Sequence, residues 1–107
     1  MNKHRTQEEI IADILSIVSN QPKKTHIMYG ANLSYSLLCK YLEKLMEARL
    51  ICYQEAERVY VLTRRGRAYL EYYNEYKELE DALLANESAF HKKRDTLSAL
   101  IDAYVEG

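Results

Sequence analysis

Large apolar side chains recur every seven residues along the last third of the chain. The first set consists of Tyr69, Tyr76, Leu83, Phe90, Leu97 and Tyr104. A second set, offset by three residues, contains Tyr72, Leu79 and Leu100, with Asn86 and Lys93 as its polar members. No glycine or proline interrupts this stretch between Arg67 and Glu106. A heptad repeat of this length is typical of a coiled coil, and one helix cannot bury such a seam alone, so we predict dimerisation through these eleven residues.

Capping signals and helical spacing predict a first helix near the start of the chain. Thr6 followed by Glu9 three residues later is a capping box. Apolar residues then recur at helical spacing over residues 7–19, at Ile10, Ile11, Ile14, Leu15 and Val18. One face of this helix should therefore lie in a core.

Two further helices are predicted after Pro22. We expect Thr25 to cap a short second helix over residues 26–29, with Gly30 closing it in the left-handed conformation. Ser34 is a natural N-cap for a third helix that reaches about Ala48. Its expected inward set is Leu38, Tyr41, Leu42, Leu45 and Met46. Two helices joined by a short turn, the second one amphipathic, form a helix-turn-helix pattern.

A short hairpin should connect this module to the heptad helix. Residues 50–53 and 59–62 are β-prone runs around a polar segment, and Thr63 follows as a cap for the long helix. Three helices followed by a hairpin describe a winged helix. The predicted fold is therefore mainly α with a small β-hairpin: a winged helix-turn-helix head over residues 1–66 and a dimerisation helix over residues 67–107.

The heptad sets pair best when the two chains run antiparallel. A register in which facing residue numbers add to 176 gives the pairs Tyr104–Tyr72, Leu97–Leu79, Leu100–Tyr76, Phe90–Asn86 and Lys93–Leu83. A parallel pair would instead stack Lys93 on Lys93 and Asn86 on Asn86. A parallel pair would also crowd both heads at one end, so we expect an antiparallel two-chain coiled coil. The sum of 176 buries more apolar surface than a sum of 169, which would place Lys93 against Tyr76.

Charge is distributed unevenly along the chain, although the formal net charge is −1. Residues 1–68 contain 11 Lys/Arg and 7 Asp/Glu, a net of +4, whereas residues 69–107 contain 4 and 9, a net of −5. A modestly basic head on an acidic stalk is compatible with a phosphate-bearing partner at the head, but a charge of +4 is only a weak attraction by itself.

The remaining chemistry indicates a binding protein and not an enzyme. No nucleophile–base pair, phosphate loop or metal-ligand spacing can be assembled, so we expect no catalytic residue, metal or cofactor. Cys39 and Cys52 are read as free structural thiols, and the lack of a secretory or membrane-spanning segment favours the cytoplasm. Tyrosines near residues 69–76 are expected to pack where head and stalk join, with a small-molecule pocket there as the alternative.

Four segments carry a resemblance to a known family. They are residues 24–35 (KTHIMYGANLSY), 40–45 (KYLEKL), 50–51 (LI) and 60–66 (YVLTRRG). This pattern resembles archaeal winged-helix DNA-binding proteins, in particular the dimeric ten-kilodalton chromatin proteins of crenarchaea. The resemblance covers nearly the whole chain, and it implies a winged helix joined to a long C-terminal helix in an antiparallel coiled coil. Chromatin members are basic, whereas this chain is slightly acidic, which favours a site-specific regulator over general coating of DNA.

In a helix-turn-helix module, the N-terminal end of the second helix meets base edges in the major groove. We therefore expect DNA contacts from the helix that starts at Ser34, from the start of the preceding helix, from the wing tip and from the start of the long helix. The predicted residues are Lys23, Lys24, Thr25, Ser34, Tyr35, Ser36, Cys39, Lys40, Arg58, Arg64 and Arg65. For the last two, a solvated face paired with nearby glutamates remains an equal alternative.

The leading interpretation is a homodimeric DNA-binding protein of the nucleoid, either a transcription regulator or a minor nucleoid component. Its expected partners are double-stranded DNA and a second copy of itself, with no membrane partner. Winged helices also act as docking modules in protein assemblies, so a protein–protein interaction module without direct DNA binding is the alternative.

Overall fold

The chain contains six regular elements in the computed structural model, which describes residues 4–105. They are α1 (Gln7–Val18), α2 (Lys24–Gly30), α3 (Tyr35–Glu47), β1 (Ile51–Gln54), β2 (Val59–Leu62) and α4 (Arg64–Val105). Contacts divide the described residues into a head, which ends at Tyr73, and a stalk, which begins at Asn74. The predicted fold class is confirmed: a winged helix-turn-helix with one antiparallel hairpin is followed by a single long helix.

One hydrophobic core holds the head together. The side chains with almost no exposure are Ile14, Leu15, Val18, Ile27, Leu38, Leu45 and Ile51. They come from α1, α2, α3 and β1, each of which places its periodic apolar face against the others. The inward set predicted for α3 is only partly right. Leu38, Leu42 and Leu45 are buried, but Tyr41 is half-buried and Met46 is 38% exposed.

Side-chain caps begin two of the head helices as predicted. Thr6 Oγ1 accepts a hydrogen bond from Glu9 N at 3.1 Å, and Glu9 Oε1 accepts one from Thr6 N at 2.9 Å, which completes the capping box. Ser34 Oγ accepts from Leu37 N at 3.2 Å and so fixes the start of α3.

The expectations for the ends of α2 were wrong. The helix begins earlier, with Lys23 at its N-cap and no side-chain cap, so Thr25 lies inside the first turn. The left-handed residue that closes it is Asn32, with φ of 54°, and not Gly30. Leu33 N donates to Met28 O at 3.0 Å, which gives the closing hydrogen bond. At Gly30 a Cβ would lie 2.8 Å from Ile17 Cδ1, which is the end of a flexible side chain.

The hairpin, or wing, pairs β1 with β2 so that Ile51 lies opposite Leu62 and Tyr53 opposite Tyr60. Tyr60 N also donates to Pro22 O at 2.9 Å, which ties β2 to the loop between α1 and α2. Arg58 lies in the turn with a left-handed φ of 57°. The wing is therefore held against the helical part of the head, with an arginine at its tip.

The first turn of α4 is attached to the end of α3 through backbone carbonyls. The single hydroxyl hydrogen of Thr63 is shared between Arg49 O and Leu50 O, which lie 2.7 and 2.9 Å from Oγ1, and Oγ1 accepts from Gly66 N at 2.9 Å. Gly66 packs so tightly that a Cβ there would overlap the Leu50 carbonyl oxygen. This close approach, and not a special φ, accounts for glycine at position 66.

Candidate nucleic-acid interface

α3 presents a polar outer face opposite its buried one. Leu38 and Leu42 point into the core, so Ser36 and Lys40, about half a helical turn away, are exposed. Lys40 forms no ion pair with any residue in the part of the chain that the structure describes. An exposed hydroxyl and an unpaired ammonium group therefore stand together in the first two turns of this helix.

One flank of α3 is joined to the first turn of α2. The ammonium group of Lys24 donates to Tyr35 Oη at 3.2 Å and lies 4.6 Å from the centre of the same ring. The hydrogen bond to Tyr35 is the main reason that the pKa of Lys24 is raised, and Cys39 adds to the effect. Three residues predicted separately as DNA contacts are thus brought together, although Lys24 is partly engaged by its neighbour.

The opposite flank of α3 carries a feature that the sequence interpretation missed. A shallow depression of about 180 Å³ is lined by Gln7 of α1 and by Leu37, Lys40, Tyr41 and Lys44 of α3. Leu37, in the first turn of the helix, is 39% exposed. A helical projection could have revealed it, because position 37 lies away from the Leu38–Leu42–Leu45 face.

The wing places Arg58 in solvent. Its side chain is exposed and forms no ion pair with another described residue. Behind it, the Tyr53 and Tyr60 rings lie 4.8 Å apart between centroids, and burial raises the pKa of the Tyr60 hydroxyl. Arg58 is thus carried on the turn of a hairpin whose two strands contact each other through these tilted rings.

The other predicted DNA-contact residues lie at the starts of α2 and α4. Lys23 and Thr25 are exposed at the start of α2, and Arg64 is exposed at the start of α4. Arg65 instead donates from Nε to Ala48 O at 3.0 Å, at the C-terminal end of α3. That contact gives Arg65 a role in the fold, which the sequence had not indicated.

Most of the predicted dimerisation residues are exposed on α4. Leu79 and Leu83 expose 73% and 64% of their surface, and Tyr72, Tyr76, Asn86, Phe90, Lys93, Leu97 and Leu100 are exposed as well. Tyr69 differs, since it is half-buried and packs against the head core, and this burial raises its pKa. The side chain of Tyr104 lies outside the described part of the structure.

Two further properties limit the chemistry of the described residues. Between residues 4 and 105, no three histidine, cysteine or acidic side chains converge in a way that could bind a metal ion. Within the same range, no helix combines the length and the apolar character that crossing a membrane requires.

Comparisons with known proteins agree with this geometry. The family model described as "Winged helix-turn-helix" matches residues 4–81. Among curated protein sequences, none matches the chain significantly. The match of the family model confirms the resemblance to a winged-helix family that the sequence had indicated.

Two solved structures share the fold. Sso10a-2, a DNA-binding protein from Sulfolobus solfataricus, superposes with a TM-score of 0.75 at 22% identity, over 82% of this chain and 95% of that one. The transcriptional repressor CouR, in a structure with p-coumaroyl-CoA bound, gives a TM-score of 0.63 at 19% identity, over 97% of this chain and 76% of that one.

Proposed function

This chain belongs to the winged helix-turn-helix family, and from that premise we propose that it is a homodimeric DNA-binding protein that reads the major groove with α3. The observation that carries the proposal is the outer face of α3, where Ser36 and Lys40 stand exposed near the N-terminus of the helix. In helix-turn-helix proteins this end of the second helix faces base edges. A lysine there suits guanine or phosphate, and a hydroxyl suits base edges or backbone.

The surrounding cations support the same orientation. Lys23 at the start of α2, Arg58 on the wing and Arg64 at the start of α4 are exposed and unpaired among the described residues. Their charges would be neutralised by the phosphates that flank a groove, and each such contact releases counterions. Glu43 and Glu47 lie further along α3 and would repel phosphate, so we place the contacts in its first two turns.

Dimerisation is supported by two grooves on the stalk. One is lined by Lys92, Lys93, Thr96 and Leu97, and the other by Tyr76, Leu79, Glu80 and Leu83. If facing residue numbers add to 176, each groove meets the other groove of a second copy. The facing pairs are then Lys93–Leu83, Thr96–Glu80 and Leu97–Leu79. A basic groove with one leucine would cover an acidic groove with two, which favours an antiparallel coiled coil.

The role we propose is that of a transcription regulator or minor nucleoid protein, located with DNA in the cytoplasm. Sso10a-2 is described as a DNA-binding protein and CouR as a transcriptional repressor. Residues 1–68 of this chain have a net charge of only +4. So small a charge gives only weak binding that is independent of DNA sequence. We therefore favour binding at preferred sites over coating of DNA along its whole length.

Titration with a mixed-sequence duplex at several salt concentrations tests the proposal. The logarithm of the association constant should fall linearly with that of the salt concentration, with a slope near −0.9 for each phosphate contacted. Ser36→Ala and Lys40→Ala should each weaken binding by roughly tenfold or more. Ser16→Ala and Arg94→Ala, which alter exposed residues of α1 and of the stalk outside both grooves, are the matched controls and should leave binding unchanged.

A negative result would also be informative. If no salt-dependent binding is found for a protein that is folded and dimeric, the outer face of α3 does not bind DNA. The alternative, a winged-helix module that docks onto other proteins, would then account for the exposed surface.

A further inference from the structure

The first turn of α3 carries an apolar side chain that the fold does not use. Leu37 is 39% exposed, and it is not among the residues packed against the head core, whereas Tyr41 one turn later is. Its backbone N–H is already engaged by Ser34 Oγ. Exposed leucines are common on protein surfaces, so this one becomes informative only through its position.

That position is on the edge of the proposed DNA-reading face. Leu37 lies beside Lys40, and the depression between α3 and α1 continues to Tyr41, Lys44 and Gln7. Two ammonium groups therefore border a mainly apolar hollow. A ligand that suits this arrangement has a small apolar group next to negative charge.

We propose that Leu37 contacts the C5-methyl group of a thymine and makes the protein prefer thymine at that base step. Resting on the proposed function, this inference names the base read at that same site. Thymine is the only base that presents an apolar group in the major groove. The polar edges of the other bases would lose water against a leucine and gain no hydrogen bond from it. Lys40 would meet a phosphate beside that base.

The proposal predicts a methyl-dependent affinity. The probe is a mixed-sequence duplex of 30 base pairs, half of them A·T, compared with the same duplex in which deoxyuridine replaces every thymidine. Loss of one buried methyl group should weaken binding about fourfold for each head in contact. Leu37→Ala should bind both duplexes equally, at about the affinity that the wild type has for the uracil duplex.

A matched control is available on the same helix. Met46 is 38% exposed at the far end of α3, so Met46→Ala removes a similar exposed apolar side chain. Met46→Ala should retain the full difference between thymine and uracil duplexes. Because Leu37 is outside the core, Leu37→Ala should fold normally. If the variant does not fold, the wild-type protein's affinities for the two duplexes still test the proposal.

The outcomes separate this inference from the proposed function. Equal, salt-dependent binding of both duplexes by the wild type would overturn the thymine contact and leave DNA binding intact. An equal loss on uracil for the wild type and Leu37→Ala would assign the effect to the duplex itself, and would also overturn it. Absence of salt-dependent binding to either duplex would refute the proposed function, and the thymine contact with it.

Discussion

Lys24 and Tyr35 are joined in two ways: the Lys24 ammonium group donates to the Tyr35 hydroxyl at 3.2 Å and lies 4.6 Å from the centre of its ring. The pair connects the first turn of α2 to the first turn of α3. It therefore fixes the start of the helix proposed to enter the major groove. It also orients the lysine, which leaves its remaining N–H groups available to a phosphate.

Tyr35→Phe should lower the pKa of Lys24 towards its ordinary value, because it removes the hydrogen bond that contributes most to the raised pKa. A raised lysine pKa stabilises the fold below the unfolded-state value, and this contribution is lost as the pH rises through the folded-state value. The variant should therefore lose up to about 1 kcal/mol near neutral pH. A side-chain NMR titration of Lys24 measures the pKa; Tyr29→Phe, an exposed neighbour, should leave it unchanged.

Arg58→Gly should raise stability and weaken DNA binding. Arg58 has a φ of 57°, a conformation that costs side chains about 1–2 kcal/mol and glycine almost nothing. Part of that gain is offset by the freedom of glycine in the unfolded chain, so we expect about 0.5–1 kcal/mol by chemical denaturation.

Arg49→Gly is the control for that experiment. Arg49 has a φ of 62° at the end of α3, so the substitution removes the same charge and relieves the same conformation. Arg49→Gly should be stabilised by a similar amount, but its DNA affinity should fall less than that of Arg58→Gly. Equal losses of affinity in both variants would mean that Arg58 acts only through the net charge of the head.

Gly66→Ala should destabilise the head severely, by roughly 3 kcal/mol or more, because its Cβ would overlap a backbone carbonyl that cannot move aside. Gly30→Ala should be nearly neutral. Its Cβ meets the end of the flexible Ile17 side chain, and alanine favours helix by up to about 1 kcal/mol. Thermal melting distinguishes the two, and a tolerated Gly66→Ala would contradict the tight packing of α4 on Leu50.

Arg64→Ala and Arg65→Ala should have different effects although the residues are adjacent. Arg64 is free among described residues, so its loss should make the salt slope shallower by about one. Arg65 caps the end of α3 through Ala48 O, so its loss should cost about 1 kcal/mol of stability. If Arg65→Ala makes the salt slope shallower and leaves stability unchanged, Arg65 contacts the DNA backbone, as the sequence led us to expect.

Cysteine pairs test the register of the proposed coiled coil. With Cys39 and Cys52 replaced by serine, the double variant Leu79→Cys/Leu97→Cys should form disulfide-linked dimers under mild oxidation. Each single variant should remain uncrosslinked, because residue 79 faces residue 97 of the other chain. The two positions are 18 residues apart, which is about 27 Å along the helix and excludes a bond within one chain. Efficient cross-linking of Leu79→Cys alone would show a parallel pair.

The sequence predicted the elements whose signals are local. The Thr6 capping box, the Ser34 cap and the heptads of α4 depend on neighbouring residues, and the structure contains the two caps and the long helix. The ends of α2 were misjudged because the residues with the strongest local signals are not the ones used. Lys23 is the N-cap without a side-chain hydrogen bond, and Asn32, which also tolerates the left-handed conformation, closes the helix in place of Gly30.

The candidate site was predictable in part for the same reason. Ser36 and Lys40 follow from the helical period of α3 once its buried face is known. Arg65 does not, since its partner is a carbonyl group at Ala48, which no side-chain pattern reveals. The position of Leu37 also follows from that period, since it lies off the Leu38–Leu42–Leu45 face, but its exposed fraction and the depression beside it are known only from the structure.

The carbonyl attachment of α4 has a consequence for how such a protein can diverge. Thr63 and Arg65 hold the end of α3 through the main-chain oxygens of residues 48–50, which every amino acid supplies. Substitutions on the outer face of α3 leave those oxygens in place. The surface that would recognise DNA and the joint that orients it are therefore separable under mutation, so binding preference can drift through Ser36, Leu37 and Lys40 while the scaffold is inherited unchanged.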